Sequence, residues 1–170
     1  MFCTDPRELK KYTRENRLWQ GIPSLEVTEK GRIFVTFYSG ETEEILGNYV
    51  VLLKSDDQKT FSEPIAVAYE EGHCCYDPCL WIDPLHRLWF TWAYAPEQAV
   101  YGVVCDNPDA ELLQWSAVKR IGKGAIGIFQ RQRFALPFLK NVKIMVTPGG
   151  GCFYNRNVKL RRPCADKGVL

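Results

Sequence analysis

Short runs of hydrophobic and β-branched residues, separated by turn-forming residues, occupy most of the chain up to residue 122. β-Branched and aromatic residues dominate the runs, and Gly, Asp and Asn stand between them, which is typical of β-strands and their turns. No helical periodicity appears between the runs. We therefore predict an all-β chain of antiparallel strands. The first four runs are IPSLEVT at 22–28, RIFVTFYS at 32–39, YVVLLK at 49–54 and EPIAVAY at 63–69.

The same four runs occur a second time. Residues 22–40, IPSLEVTEKGRIFVTFYSG, align with residues 77–95, DPCLWIDPLHRLWFTWAYA, at a spacing of 55 residues. The later runs also align, and their spacings differ because the loops differ in length. YVVLLKSDD from Tyr49 aligns with YGVVCDNPD from Tyr101 at 52 residues, and Thr60-Phe61-Ser62 aligns with Gln114-Trp115-Ser116 at 54.

Four antiparallel strands repeated at this interval are the sequence pattern of a β-propeller blade. We therefore predict two four-stranded blades within residues 16–122. The first blade is expected at about residues 20–70 and the second at about residues 75–122. Residues 123–170 follow as a basic tail or an incomplete third blade.

The turn between the third and fourth strands has an unusual order of residues. SDDQKTFSEP, Ser55–Pro64, fills it in the first repeat, and CDNPDAELLQWS fills it in the second. Asp and Ser side chains can hydrogen-bond to backbone groups inside a tight turn and fix its conformation. We interpret these turns as structural, and we expect the aromatic residue that follows, Phe61 or Trp115, to be buried between blades.

SDDQKTF resembles the Asp-box of the sialidase superfamily, Ser-x-Asp-x-Gly-x-Thr-Trp, with one residue missing and Phe in place of Trp. QGIPSLEVTEKGRIFVTFYSGETEE, GNYVVLLKSDD and CYDPCLWIDPLHRLWFTWA extend the likeness. Residues 14–122 are thereby similar to the first two blades of sialidase-like bacterial glycoside hydrolases with BNR repeats. The resemblance implies a six-bladed propeller with its active site on the axis, and an exo-glycosidase that removes terminal sugars from glycans.

The sequence departs from that family at the start of the first blade. Sialidases carry Phe-Arg-Ile-Pro there, and this Arg is the first of three that bind the substrate carboxylate. The tetrad here is Gln20-Gly21-Ile22-Pro23, with Gly in the Arg position. Since bidentate recognition of a carboxylate needs the guanidinium, we expect a related sugar specificity instead of a strict sialidase.

Length is the second departure. Six blades of this size would need about 330 residues, so the chain has room for two blades and part of a third. The Tyr nucleophile with its Glu partner, and the other two arginines of the family, belong to blades that are not present in this sequence.

The predicted strand order places residues 16–22, 40–48, 70–77 and 94–100 at one end of the blades, opposite the Asp-box. Carboxylates are frequent there, which suits general acid–base work on a glycosidic bond. The family carries its acid/base in the loop 40–48, so the resemblance implies Glu44, or next Glu43, in that role; a solvated acidic loop is the alternative. Asp77 is the third catalytic candidate, or a turn-capping residue before Pro78. The candidate substrate-binding residues are Gln20, Asn48 and Tyr76.

Seven cysteines leave at least one thiol outside any intramolecular pair. The cluster HCCYDPC, residues 73–79, lacks the usual C-x₂₋₄-C ligand pairs and has no second pair at a recognisable distance. We therefore predict no metal and no cofactor. The N-terminus has no signal-peptide apolar core and no run is long enough to span a bilayer, so we expect a cytoplasmic chain with reduced thiols and no membrane partner.

Charge divides the chain near residue 124. Residues 1–124 carry a net charge of −6, and residues 125–170 carry nine Lys and Arg against Asp166 alone. The basic residues of the tail, together with Phe153 and Tyr154, resemble the composition of a nucleic-acid-binding segment. We nevertheless predict no nucleic-acid partner. We expect the break to reflect a truncated or frameshifted reading frame, which the blades did not evolve with, or a decayed copy of a longer enzyme.

Three functions remain open at this point: a sialidase-like glycosidase or its N-terminal part, a non-catalytic carbohydrate-binding propeller that stacks sugars on Trp81, Trp89 or Tyr76, and an inactive fragment. A glycan or glycoside is the expected partner. Two isolated blades would leave apolar faces and edge strands uncovered, so self-association is also expected.

Overall fold

The computed structural model describes residues 1–41, 45–123, 144–146 and 152–154. Strands predominate and every pairing is antiparallel, which confirms the all-β prediction. The first sheet has the order β1-β5-β4-β3-β2. Its strands are β1 (Phe2–Cys3), β2 (Trp19–Val27), β3 (Ile33–Gly40), β4 (Tyr49–Ser55) and β5 (Ala66–Ala68).

The second sheet has the order β6-β7-β8-β9. Its strands are β6 (Cys74–Ile82), β7 (Leu88–Ala95), β8 (Ala99–Cys105) and β9 (Lys119–Lys123). A separate hairpin pairs β10 (Ile144–Val146) with β11 (Cys152–Tyr154). The fourth strand of the first sheet is shorter than the run 63–69 predicted, because Pro64 has no amide hydrogen for the ladder.

The N-terminal segment contributes elements that the repeat did not predict. β1 adds a fifth, outermost strand beside β5, with Phe2 opposite Ala68. A short helix, α1 (Pro6–Leu9), follows; the Asp5 carboxylate accepts the Arg7 amide at 2.9 Å and caps it. Two 3₁₀ turns, Lys10–Tyr12 and Arg14–Asn16, complete the segment.

The two sheets pack face to face around one core. Phe34, Tyr38 and Leu52 of the first sheet meet Leu80, Phe90 and Trp92 of the second, and all six side chains are buried. Phe2 enters the same core and stacks on Trp92 with ring centroids 6.0 Å apart. Each large apolar side chain buried in this way contributes about 1.5–3 kcal/mol, so the interface between the sheets is the main source of stability in the described part of the chain.

Polar side chains join the two innermost strands, β2 and β6. The Ser24 hydroxyl oxygen accepts the Leu80 amide at 3.0 Å, and the Glu26 carboxylate accepts the amide of Ile82. Ser24 and Glu26 lie two residues apart and therefore share one face of β2. Together they satisfy backbone donors on the edge of β6 that no neighbouring strand reaches.

The hydrogen-bond pattern of the first sheet recurs in the second. The Ser62 amide donates to the Lys54 carbonyl at 2.8 Å and the Lys54 amide donates to the Ser62 hydroxyl at 3.1 Å. Ser116 and Val104 make the same two bonds at 2.8 and 3.0 Å. Ser62 and Ser116 are therefore equivalent, as the predicted spacing of 54 requires.

The predicted spacing of 52 between Tyr49 and Tyr101 is wrong. Ser39 pairs with Tyr49, whereas Tyr94, which lies 55 residues after Ser39, pairs with Ala99. The equivalent of Tyr49 is thus Ala99, at a spacing of 50. The loop before β4 is five residues longer than the loop before β8, and a chance match between the two tyrosines hid this difference.

The Asp-box-like turn is held together by Asp57, as the structural interpretation predicted. One carboxylate oxygen accepts the amides of Lys59 and Thr60 at 2.9 and 2.8 Å, and the other accepts the Thr60 hydroxyl at 2.7 Å. These bonds lower the pKa of Asp57 far below its ordinary value. Ser55 also donates its hydroxyl to Asp57, at 3.0 Å.

The aromatic residues after the two turns differ in burial. Trp115 packs against the core, with its ring centroid 5.6 Å from that of Phe2. Phe61 is 48% exposed, so its predicted burial is wrong. The equivalence of Ser62 and Ser116 puts Phe61 on the side of the first sheet that has no second sheet packed against it.

Candidate functional site

The loops predicted to share one end of the sheets do so. Trp19 pairs with Gly40 and Ser39 with Tyr49 in the first sheet, while Cys74 pairs with Ala95 in the second. We call this end, with residues 16–22, 40–41, 45–48, 70–77 and 94–100, the site end. Backbone bonds join the two sheets here: the amide of Gly47 donates to His73 O at 2.7 Å, and that of Cys75 donates to Asn48 O at 2.9 Å.

Both innermost strands bulge at the site end, at equivalent positions. The ladder register shifts between Gly21 and Ser24 in β2 and between Tyr76 and Cys79 in β6. Ile22 and Asp77, within these bulges, have φ values of 42° and 44°. Left-handed backbone is costly for a residue with a Cβ, most of all a β-branched one, at about 1–3 kcal/mol. Such strain is concentrated at functional sites, so the two equivalent bulges support the choice of this end as the candidate functional site.

Two aromatic rings lie against Gly21, the residue that the resemblance places in the arginine position of sialidases. A Cβ atom at Gly21 would lie 3.0 Å from Trp19 Cη2 and 3.0 Å from Tyr38 Cε1. Trp19 and Tyr38 meet edge to face at 4.8 Å between ring centroids, and Tyr76 of the second sheet meets Tyr38 at 6.4 Å. The rings fill the space beside the backbone, so a larger side chain at residue 21 would have to displace one of them.

Asp77 is half-buried within its bulge, next to the half-buried Tyr76. Gln20 is exposed in β2, opposite Ser39. Tyr76 contacts Tyr38, and Tyr38 pairs with Gly21, the neighbour of Gln20, in the first sheet. The candidates Glu43 and Glu44 lie outside the described residues.

Asn48 is buried, with 1% exposure, and its side chain covers Gly40, where an added Cβ would overlap Oδ1. Together with the bond from Cys75 to its carbonyl, this position makes Asn48 the residue that holds the end of the loop 40–48 against the second sheet. Tyr76 and Asp77 follow directly after Cys75, so Asn48 is tied to the strand that carries Asp77.

A second polar group at the site end consists of His73, Glu97, Tyr94 and Glu70. The sequence did not single out Tyr94. His73 Nε2 lies 3.0 Å from Glu97 Oε1, and the His73 ring stacks on Tyr94 at 4.8 Å. Tyr94 hydrogen-bonds to the Glu70 carboxylate; burial and this neighbour raise the pKa of Tyr94. A hydrogen bond to the backbone at Glu71, with help from Glu97, raises the pKa of His73. The aromatic pattern of β7 gave no sign that Tyr94 would bind a carboxylate.

Glu26 is the other titratable residue that the sequence missed. It lies on β2 between the sheets, and burial raises the pKa of its carboxyl to about 7, against the lowering effect of hydrogen bonds from the amides of Val27 and Ile82. In the sequence it occupies an ordinary polar position of an alternating strand, and the packing of β6 against β2 makes it half-buried.

The cysteines of the cluster 73–79 do not form a reactive site. Cys74 and Cys75 are buried, and burial raises the pKa of Cys75 to about 12, which keeps its thiol protonated and a poor nucleophile. Within residues 1–41 and 45–123, no three His, Cys, Asp or Glu side chains converge as metal ligands. In that same part of the chain, no helix has the length and hydropathy needed to cross a membrane.

Comparisons with known proteins add no relative. No protein-family model matches the chain, and no curated protein gives a significant match. The likeness to sialidase-like hydrolases therefore depends on the short motifs of the repeat, and the assignment of this site is a proposal.

Proposed function

We propose that the two sheets are blades of a sialidase-like propeller and that their site end hydrolyses terminal glycosidic bonds of glycans. The pair of left-handed bulges at Ile22 and Asp77 carries this proposal. Both interrupt the innermost strand of a sheet at the same end, and both precede a proline. In a propeller these positions lie beside the axis, where ligands bind.

Carboxyl groups supply the chemistry. Glu44, or Glu43 in its place, protonates the leaving glycosidic oxygen, and Asp77 on the adjacent strand acts as its partner carboxylate. The bond between Cys75 and Asn48 supports this pairing, because it holds Asn48, four residues after Glu44 in the sequence, beside the strand that carries Asp77. No metal or cofactor takes part in this reaction.

The surroundings of Gly21 favour neutral sugars over carboxylate-bearing ones. The family's arginine would provide a bidentate partner for a carboxylate. Trp19 and Tyr38 stand in that place instead, and Tyr76 of the second sheet contacts Tyr38. Tyr38 itself is buried, so the half-buried Trp19 and Tyr76 are the rings that can bind the apolar face of a sugar, and Gln20 beside Trp19 can hydrogen-bond to its hydroxyl groups.

A panel of aryl glycosides tests the proposal. We expect wild-type protein to release the aglycone from a neutral glycoside, Glu44→Gln or Glu43→Gln to abolish release, and Glu63→Gln to leave the rate unchanged. Glu63 is a matched control because it is an exposed Glu outside the site end. Equal rates for all four proteins would refute the assignment.

Sugar binding without turnover is a second candidate function, and the aromatic cluster around Gly21 favours it. Tyr76 is half-buried at the cluster and accessible to a ligand. For a binding module we expect saturable binding of a neutral sugar, weakened at least tenfold by Tyr76→Ala, with no release from any aryl glycoside. Isothermal titration and the glycoside panel together separate the two functions.

A further inference from the structure

His73 contacts three different parts of the chain at the site end. It lies in the link 69–73, which joins β5 of the first sheet to β6 of the second. Its carbonyl oxygen accepts the amide of Gly47, in the loop before β4, at 2.7 Å. Its ring stacks on Tyr94 with centroids 4.8 Å apart, and Nε2 lies 3.0 Å from Glu97, in the turn between β7 and β8. One residue therefore joins the link, the loop before β4 and the turn after β7.

Both ring nitrogens of His73 face oxygen atoms that accept hydrogen bonds. Nδ1 lies 2.9 Å from the carbonyl oxygen of Glu71, and Nε2 lies 3.0 Å from Glu97 Oε1. Only the imidazolium has a hydrogen on both nitrogens, since a neutral imidazole has one donor and one acceptor. A neutral ring would therefore set two acceptors against each other at one of these contacts. In agreement, the hydrogen bond to Glu71 and the nearby Glu97 raise the pKa of His73 above its ordinary value.

The charged groups around the ring also fit a protonated His73. Glu97 faces it from the turn after β7, and Glu70 lies near it on the link. Glu70 also accepts the Tyr94 hydroxyl and pairs with the Met1 ammonium at 3.2 Å. Tyr94 remains neutral, because burial and Glu70 raise its pKa. The loop before β4 meets His73 through its backbone. Two carboxylates and one ammonium leave a single negative charge, which the imidazolium balances.

We propose that His73 is a pH-sensitive switch at the site end: the imidazolium holds the turn 96–98 and the loop before β4 against the link, and the neutral ring releases them. The bond from Nδ1 to Glu71 closes the link on itself, and the link carries the carbonyl that holds Gly47, so a change at the ring reaches the loop through the backbone. Since the pKa of His73 is raised, the contacts are fully present below pH 6.5 and are lost as the pH rises through the higher value of the folded chain.

The second histidine of the chain provides a matched control. His86 Nδ1 lies 3.0 Å from Glu29 Oε1, and the two side chains are 49% and 67% exposed. This pair is also a contact between an imidazole and a carboxylate, of the same length, but it joins two turns at the opposite end of the sheets. The titration of His86 should therefore leave the site end unchanged.

NMR spectroscopy of the full chain from pH 5 to 9 tests the switch, because it follows the His73 ring and the backbone amides of Gly47 and Gln98 in one titration. We expect a ring midpoint above 6.5 and amide shifts of Gly47 and Gln98 with that same midpoint. Glu97→Gln removes the facing charge, so the His73 midpoint should move down toward its ordinary value. In His73→Gln both amides should lose this titration. Near-ultraviolet circular dichroism confirms that each variant is folded.

Three variants outside the switch complete the test. Glu29→Gln and His86→Gln should leave both amide titrations as in the wild type. Glu26→Gln should do the same, although the Glu26 carboxyl titrates near pH 7. The proposal is overturned if the two amides do not follow the His73 midpoint, if they still titrate in His73→Gln, or if Glu26→Gln abolishes their titration. An unchanged His73 midpoint in Glu97→Gln would overturn it as well. All of these measurements are independent of whether the site end hydrolyses sugars.

Discussion

Ile22 and Asp77 lie 55 residues apart in the sequence and occupy the same position in two equivalent strands, with left-handed φ values of 42° and 44° and a proline after each. A single strained residue is often an accident of a turn. Two at equivalent positions, at the end of the sheets where the candidate acid groups also occur, indicate a feature that belongs to the repeat itself.

Substitutions at Asp77 should separate backbone strain from chemistry. Asn tolerates left-handed backbone almost as well as Asp, whereas Val does not. We therefore expect Asp77→Asn to keep the free energy of unfolding and to lose glycoside hydrolysis, and Asp77→Val to lose about 1–3 kcal/mol of stability as well. Urea unfolding and aryl-glycoside turnover measure the two effects. A stable, active Asp77→Asn variant would show that this carboxylate has no catalytic role.

Glu26 should make the stability depend on pH. Its pKa rises from 4.5 to about 7 on folding, so the folded chain holds the proton more tightly than the unfolded chain. The contribution of Glu26 to stability is therefore fully present below pH 4.5 and is lost as the pH rises through 7, by an amount on the order of 2 kcal/mol. Glu26→Gln keeps an acceptor for the Ile82 amide without the charge, so its melting temperature should fall less between pH 5 and 8. An identical pH profile for wild type and Glu26→Gln would exclude this role; Glu63→Gln is the exposed control.

Gly40 and Asn48 should be energetically coupled. A Cβ on Gly40 overlaps the Asn48 side chain, so Gly40→Ala should cost about 1–3 kcal/mol through overpacking. Removing the obstructing amide with Asn48→Ala should recover much of that cost in the double variant, which a double-mutant cycle of unfolding free energies measures. Strict additivity would mean that the two residues do not touch.

The turn at Asp57 should be structural only. Asp57→Ala removes the acceptor of the Lys59 and Thr60 amides and should lower the melting temperature, while turnover by the folded protein is unchanged, since the turn lies at the opposite end from the site. The pKa of Asp57 is lowered by these bonds, so its contribution is present above pH 4 and is lost as acid protonates it. A large fall in kcat with intact folding would contradict this separation.

The local sequence pattern predicted the local elements of the fold, namely strands and turns. Alternation and turn residues located the strands of both sheets, and the Ser–Asp–Thr order identified the Asp57 turn. The pairing of Tyr49 could not be read correctly, because an insertion in the preceding loop and a repeated Tyr gave a false match. Burial that depends on which sheet lies next was also hidden: Glu26 and Leu25 are adjacent on one strand, yet the polar residue faces the core and the apolar residue faces solvent.

The candidate site shows the same limit. Asp77 and Tyr76 could be proposed from their place at the start of a predicted strand. The contact between Tyr38 and Tyr76 requires the two sheets to come together. The hydrogen bond of Tyr94 with Glu70 requires the end of β7 to meet the segment that links the two sheets. Contacts between residues so far apart in the chain produce no regular spacing in the sequence from which they could be predicted.

The specificity constant, kcat/KM, for a neutral aryl glycoside relative to a carboxylate-bearing one tests the central claim most directly. Because Trp19 and Tyr38 occupy the space beside Gly21, we predict turnover of the neutral glycoside, loss of that turnover in Glu44→Gln, and little or no turnover of the sialoside. Preferential hydrolysis of the sialoside, or turnover that is unchanged in Glu44→Gln, Glu43→Gln and Asp77→Asn alike, would contradict it.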